Sequence, residues 1–336
     1  MLKPFIAKVS TGEDLTFDEA SEAMDVIMRG DATESQIAGF IIALKLKGEK
    51  VEEVAGFVNT MRIHCVKVEA PSELTVDGCG TGGDSSHSFN ISTTAAVVAS
   101  AAGVIVAKHG NRSVTSKCGS ADLLEKSGGK IDLGPEQVEK NLKEVGFAFM
   151  FAPRYHPAMK HAAVPRRELG VRTIFNILGP MTNPALVKHQ VLGVYNMDLL
   201  PLVAQVLAMT GSRHVITAHS KDGLDEFSVS AETRYIEVKE GSITNKGLHP
   251  EDVGLKSYPT DALAGGDAEM NLAILHSILN GKQSAYRDAV LYNSGAIIYV
   301  GGQAGSIKEG VEKARTAVES GAAKEKFSQW IKASNA

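Results

Sequence analysis

The chain has 336 residues, 43% hydrophobic and 22% charged, enough to bury a sizeable core in one large α/β unit or in a small and a larger domain. Its net charge of -4 argues against a general nucleic-acid binder, and no apolar run approaches the roughly 18 residues of a membrane span. Cys65, Cys79 and Cys118 are too scattered for a disulfide framework or a zinc site, and the start of the chain lacks the apolar stretch of a signal peptide, so a reducing cytoplasm is expected.

Residues 1–71 read as helices alone. Thr16-Phe-Asp-Glu19 and Thr33-Glu-Ser-Gln36 are capping boxes. Ile37, Phe40, Ile41 and Leu44 fall at helical spacing, as do Val51, Val54, Ala55 and Val58, so each helix carries an apolar stripe. Helices this short leave apolar surface for the rest of the chain or for a second copy. Strands are then predicted at 74–76, 104–107, Phe147–Phe151, 190–195 and 214–217. Helices are predicted between them at 94–102, Ser120–Lys126, Pro135–Glu144 and Leu199–Met209. That alternation predicts an α/β fold with a mostly parallel sheet, whose ligands bind beyond the carboxyl ends of the strands. An Arg-rich helical piece at 165–184, ending in Gly179-Pro180 and Asn183-Pro184, is expected to leave the sheet and pack with the N-terminal helices. Helices at Ala268–Leu279, 285–299 and 307–320 complete the reading. The expected division is a small all-helical domain (1–71, joined by roughly 165–186) and a larger α/β domain (72–164 and 187–336).

Residues 77–94 read Asp-Gly-Cys-Gly-Thr-Gly-Gly-Asp-Ser-Ser-His-Ser-Phe-Asn-Ile-Ser-Thr-Thr. Gly78, Gly80, Gly82 and Gly83 free the backbone for positive φ and let bare amides approach a ligand. Strand, glycine loop and helix N-terminus make an anion seat, to which Asn90, Ser92 and Thr93 can add donors. A plain turn is the bland alternative; the polar clusters downstream favour a phosphate site. Lys108-His-Gly-Asn-Arg-Ser-Val-Thr-Ser116 follows the second strand and carries two cations, a histidine and several hydroxyls, an inventory suited to several phosphates. Gly119-Ser120 opens the next helix. Asp225 and Glu226, ordinary surface acids elsewhere, become candidate Mg²⁺ ligands beside a polyphosphate. Of the arginines between 154 and 172, one suits a substrate carboxylate. His161 reads as structural and Cys79 as a small filler. His87, His109 and His219 fit no Ser/His/Asp spacing.

Gly80-Thr-Gly-Gly-Asp84, Asn90-Ile-Ser-Thr93, Lys108-His-Gly-Asn-Arg112 and Gly119-Ser-Ala-Asp122 are followed by Arg166 and by Leu169-Gly-Val-Arg-Thr-Ile-Phe-Asn-Ile-Leu-Gly-Pro180. Thr182-Asn-Pro184 and Asp225-Glu226 complete the series. In this order, over nearly the full length, the chain resembles the anthranilate phosphoribosyltransferase family. The resemblance implies a nucleoside phosphorylase-like fold and a homodimer formed through the small domain. It implies transfer of the phosphoribosyl group of 5-phosphoribosyl 1-diphosphate (PRPP) to the amine of anthranilate, with Mg²⁺, in tryptophan biosynthesis; neither nucleic acid nor membrane is a partner.

By the same resemblance, Gly80, Gly83, Asp84, Ser88, Asn90, Ile91, Ser92 and Thr93 would line the donor site. Lys108, His109, Gly110, Asn111, Arg112, Ser113, Val114, Thr115 and Ser116 would close over it, with Ser120 at the next helix start. Ser92, Asp225 and Glu226 would hold Mg²⁺, and Gly80, Asn111, Arg166, His109 and His156 would face anthranilate. Arg166, Asn111 and Lys108 would form the catalytic set. Ser88 and Thr115 exchange one hydroxyl for another relative to the family's usual residues, and Met181 replaces a leucine. Two other readings use the same residues. A pyrimidine nucleoside phosphorylase would share the fold, but its loop reads Thr-Gly-Gly-Val-Gly-Asp-Lys. A non-catalytic, nucleic-acid-binding relative would show eroded donor motifs and a basic surface.

Overall fold

Local hydrogen bonding starts the first helices. Helix α1 (Lys3–Ser10) carries a proline in its first turn. Helices α2 (Phe17–Met28) and α3 (Glu34–Lys47) begin at the two capping boxes, each closed in both directions. Gly48, at φ 85°, ends α3, and α4 (Val51–His64) follows. Ile37, Phe40, Ile41 and Leu44 are all buried, as are Val54, Ala55 and Val58. Glu53 is buried beside them but satisfied, because the amides of Leu15 and Lys50 and the Lys47 ammonium all donate to it.

The computed structural model describes residues 2–84, 86–113 and 117–336. Beyond α4 come β1 (Val76–Gly80), α5 (Ile91–Ala101), β2 (Val106–Gly110), α6 (Ser120–Lys126), α7 (Pro135–Glu144) and β3 (Phe147–Phe151). The middle of the chain adds α8 (Ala152–Tyr155), α9 (Lys160–Leu169), α10 (Phe175–Leu178), β4 (His189–Gly193), α11 (Leu199–Met209) and β5 (His214–Ser220). The last part contains β6 (Thr233–Lys239), β7 (Ser242–Leu248), α12 (Ala268–Leu279), α13 (Ala285–Val300), α14 (Ile307–Glu319) and α15 (Ala322–Asn335). Among the described residues the sheet has seven strands in the order β3-β2-β1-β4-β5-β6-β7. Its first five neighbours run parallel, while β6 and β7 form an antiparallel edge. The fold is therefore a small helical N-terminal domain with a larger α/β domain.

One face of the sheet is covered by α5, α13 and α15, with α14 packed on α13 and α5; the other is covered by α7 and by α11, on which α4 packs. Ala162, Ile174, Phe175, Ile177 and Leu178, from the mid-chain segment, share an apolar core with α2, α3 and α4. Much of the apolar surface left by the short helices is thus covered from within the chain, although Leu46 and Ile63 stay 82% and 64% exposed. Among the described residues no helix is long and apolar enough to cross a membrane.

Several elements depart from their predicted bounds. Strand β1 starts at Val76, where a strand was expected to end, and β2 runs through Lys108, His109 and Gly110 instead of stopping before them. The cause is tertiary: β2 stays in register with β3 from Val106↔Phe147 to Gly110↔Phe151. Helix α5 begins at Ile91, before the expected start at Thr94. The β6–β7 hairpin and α15 have no counterpart in the predicted elements. The hairpin turns on Glu240 and Gly241, both at positive φ (46° and 80°), as a two-residue type I′ loop requires. Helix α15 is anchored by the fully buried Trp330, stacked on Phe327 and edge-on to Phe147.

Candidate active site

From β1 the chain steps outward to β2 and β3, then β4 returns to the opposite flank of β1. The loops leaving β1 and β4 therefore diverge, opening a crevice at the carboxyl ends of these strands. Gly80 and Gly193 are partners at that point. A Cβ on Gly193 would lie 1.5 Å from the Asp225 carbonyl oxygen, and one on Gly80 would lie 2.5 Å from the Asp225 carboxylate. Two absent side chains thus let the 222–226 turn cross the strand ends. Gly78, too, is a strand residue that makes room, here for Ile297; of the four loop glycines, Gly82 and Gly83 adopt positive φ, at 69° and 71°. The Gly82 amide donates to Asp225 Oδ2 at 2.7 Å.

Three carboxylates crowd this spot. The Asp225 amide donates to Asp84 Oδ2 at 3.3 Å, and the Ser92 hydroxyl, in the first turn of α5, bonds Glu226. Burial and then the charge of Asp84 push the Asp225 pKa up, while burial and then Asp225 do the same to Glu226. Lys108 opposes them from β2, where it is buried and its Nζ donates to the Gly78 carbonyl at 2.7 Å. Among the described residues no three His, Cys, Asp or Glu side chains form a metal cage. Two acids with unspent negative charge and a neighbouring hydroxyl nevertheless fit Mg²⁺, which takes one or two carboxylates and completes its shell from phosphate and water.

A second polar layer lies along β1 and β2. Asp77 is fully buried and accepts Asn183 Nδ2 at 2.8 Å and the His109 amide at 3.3 Å. Burial lifts its pKa to about 6, against the pull of Lys108. Asn183 also donates to the Ala107 carbonyl at 2.9 Å, so the Asn-Pro break at 183–184 is tied to the sheet. The rings of His109 and His156 lie 5.1 Å apart, each with a buried Nε2 that has no partner among the described residues. Burial holds their pKa values down to about 3 and about 4, so both are neutral at ordinary pH. They offer hydrogen bonds without charge. Arg166, half-buried on α9, stacks over Phe175 at 5.3 Å and has no carboxylate partner among the described residues. Burial alone lowers its pKa. A guanidinium in that state is a receptor for a planar carboxylate.

Models of the glycosyl transferase family match both parts of the chain, the helical bundle domain over residues 3–65 and the a/b domain over residues 72–324. The anthranilate phosphoribosyltransferase of Thioalkalivibrio sulfidiphilus is 49% identical over 97% of this chain and 96% of its own length. This chain belongs to the anthranilate phosphoribosyltransferase family. Among solved structures, the anthranilate phosphoribosyltransferase of Thermus thermophilus superposes with a TM-score of 0.94 at 41% identity, covering 99% of both chains. The enzyme of Saccharomyces cerevisiae in complex with PRPP and Mg superposes with a TM-score of 0.90 at 28% identity, covering 99% of this chain and 98% of the other. Membership in this family displaces the nucleoside phosphorylase reading.

Of the residues that the family resemblance singles out, Gly80, Gly83, Asp84, Ser92, Lys108, Asp225 and Glu226 meet around the crevice through the contacts just described. Asn111 and Ser120 are joined as well, the Ser120 hydroxyl donating to the Asn111 carbonyl at 3.2 Å. Gly110 has no room for a Cβ beside Ser120 Oγ and Phe149. Asn90 does not cap α5; its Nδ2 donates to the Cys118 carbonyl at 3.1 Å, which leaves its buried Oδ1 without a partner among the described residues. Ser88 is bridged to Ala264. Ile91 and Thr93 are buried, so Ile91 packs in the core. The Arg112 guanidinium is turned onto Asp122 and Glu125. Val114, Thr115 and Ser116 lie outside the described residues. Cys79 is held by burial well above the usual thiol pKa, which suits a filler, and the ring of His161 packs against Gly30.

Sequence reasoning assigned no role to Asp77, Asn183, Asp122, Arg172 or Tyr195. Arg172 donates to the Gly83 carbonyl and lies 4.4 Å over the Tyr195 ring, whose amide donates to Thr81. The glycine loop is thereby clasped to the segment that follows α9. A lone arginine in a loop carries no signal of this contact.

Proposed function

We propose that this chain transfers the phosphoribosyl group of PRPP to the amine of anthranilate, giving N-(5-phosphoribosyl)anthranilate and pyrophosphate, a step of tryptophan biosynthesis. The observation that carries the reading is the seat of Asp225 and Glu226 across the ends of β1 and β4, against Gly82, Asp84 and Ser92. The glycine-loop amides and the first turn of α5 bind the phosphates, and Asn90 and Asn111 face the same ligand. Asp225 and Glu226, with Ser92, hold Mg²⁺, which when bound neutralises charge on the departing pyrophosphate. Lys108 adds a buried positive charge below them. Arg166 takes the anthranilate carboxylate and aims the amine at the ribose C1. His109 and His156, both uncharged, flank the acceptor without competing for that carboxylate. The C1–O bond to pyrophosphate breaks as the C1–N bond forms, and the arylamine gives its proton to water. Positioning and electrostatics carry the rate, and no strong general base is demanded, because the arylamine attacks uncharged and the acidic arylammonium product releases its proton readily.

The division into 1–71 with roughly 165–186, and 72–164 with 187–336, belongs to this proposal. It is supported by the apolar core that Ile174, Phe175, Ile177 and Leu178 share with α2, α3 and α4. A homodimer forms through the helical part, supported by the exposed Leu46 and Ile63. The protein works in the cytoplasm, a reading supported by its few scattered cysteines and by the biosynthetic role. The test is direct. Purified protein mixed with PRPP, Mg²⁺ and anthranilate should consume anthranilate fluorescence and release pyrophosphate, and chelation should stop both. Turnover of thymidine or uridine with phosphate, and none of anthranilate, would overturn the proposal.

A further inference from the structure

Asn111, Arg112 and Ser113 follow β2, Gly119 precedes α6, and these two short stretches lie side by side. A Cβ on Gly119 would sit 2.3 Å from the Ser113 nitrogen and 2.6 Å from the Arg112 carbonyl carbon, so glycine alone lets the backbones pass. One carboxylate gathers both stretches. Asp122 Oδ2 accepts the Gly119 amide at 2.8 Å and the Ser113 amide at 3.1 Å, while Oδ1 accepts Arg112 Nη1 at 3.0 Å. The Gly119 bond is ordinary capping of α6 from its third residue. The Ser113 and Arg112 bonds are not, because they come from the outgoing arm. The same neck touches the donor loop: Asn90 Nδ2 donates to the Cys118 carbonyl, and the Ala121 amide and Ser120 hydroxyl both donate to the Asn111 carbonyl.

We infer that Asp122 is a positioning residue for the donor site: its carboxylate staples the neck of the 111–119 segment and so sets Asn111 and Asn90 in place for the donor, without touching the donor itself. The inference rests on the reading that PRPP binds in this crevice. It also reassigns Arg112, whose guanidinium serves the staple by pairing with Asp122 and Glu125 and stacking over Phe151 at 5.6 Å. The hydrogen bonds from Gly119, Ser113 and Arg112 outweigh burial and hold the Asp122 pKa below the ordinary carboxylate value, as a fully engaged acceptor should be. The conserving replacement is asparagine, which keeps an acceptor oxygen but gives up the charge toward Arg112.

The experiment compares the parent with Asp122→Ala and Asp122→Asn in three measurements: the Kd of PRPP with Mg²⁺ by calorimetry, the two KM values, and amide exchange of the 111–119 peptide by mass spectrometry. Asp122→Ala should weaken PRPP binding at least tenfold and raise its KM in step, leave the anthranilate KM within twofold, and speed exchange of 111–119 alone. Asp122→Asn should recover part of each loss. Equal rises in both KM values, or an unchanged PRPP Kd with unchanged exchange, would overturn the inference. If Asp122→Ala does not fold, the same outcomes in Asp122→Asn decide it. A parent that binds PRPP but leaves anthranilate untouched would instead sink the proposed activity, and the Kd and exchange measurements would still judge the staple.

Discussion

Glu237, on β6 beside the start of β5, and Asp225 with Glu226, beyond the far end of β5, are acids sunk into the same domain with opposite surroundings. Glu237 accepts hydrogen bonds from His214 Nε2 at 2.9 Å, the Tyr299 hydroxyl at 2.7 Å and Lys246 Nζ at 2.5 Å. Burial by itself would raise its pKa, yet those three donors prevail and bring it to about 2. Asp225 and Glu226 are pushed upward instead, because burial adds to the repulsion of Asp84 on Asp225 and of Asp225 on Glu226. A buried charge whose partners come from the fold is structural. One whose partners are missing from the fold is waiting for a ligand.

The sharpest way to break this comparison is to remove charge at the crevice. Asp225→Asn combined with Glu226→Gln should lower Mg²⁺-dependent kcat/KM for PRPP about a hundredfold, roughly 2.7 kcal/mol. The melting temperature should hold or rise, since repulsion is relieved and an asparagine oxygen can still take the Gly82 amide. A lower melting temperature with retained activity would make these acids structural after all. Glu237→Gln should do the reverse, costing about 1–3 kcal/mol of stability while the folded fraction keeps its kcat/KM within twofold. Thermal melts paired with the fluorescence assay separate the two.

The pH dependence sharpens the contrast further. The Glu237 pKa in the folded chain lies below the unfolded value of about 4.3, so its stabilisation is complete above that pH and is lost as pH falls through the folded value of about 2. The gap in melting temperature between the parent and Glu237→Gln should therefore be constant near neutrality and close below pH 4. A gap that persists at pH 2 would mean that packing, not charge, holds this end. The smallest effect is expected at the clasp on Gly83: Arg172→Ala should raise the KM for PRPP about threefold to fivefold, on the order of 1 kcal/mol, and leave the melting temperature unchanged. An unchanged KM would show that the glycine loop holds its shape without the arginine.

Much of the architecture was legible because its signals are local. Capping boxes, the 37–44 stripe and the bounds of α6, α7, α11 and α12 depend on residues a turn apart, and β3 announces itself as a short apolar run. The donor residues stood out because glycines and hydroxyls concentrate where backbone amides must reach an anion. The β6–β7 hairpin was less legible because β7 is an exposed edge with little apolar alternation, and its one signal, Glu240-Gly241, is shared with many turns. Arg112 read as a phosphate ligand by its neighbours, yet Asp122 and Glu125, further along the chain, hold its guanidinium.

By itself, then, the sequence determined the helical start, the alternating α/β order and the chemical inventory of the crevice, since each depends on periodicity or residue type over a few positions. Tertiary structure alone decided that Lys108 is buried under the acids, that Gly80 and Gly193 make way for Asp225, and that Asp122 closes the neck. Those facts depend on the register of parallel strands and on contacts between distant segments, and no local pattern encodes which backbones will come within a Cβ of one another.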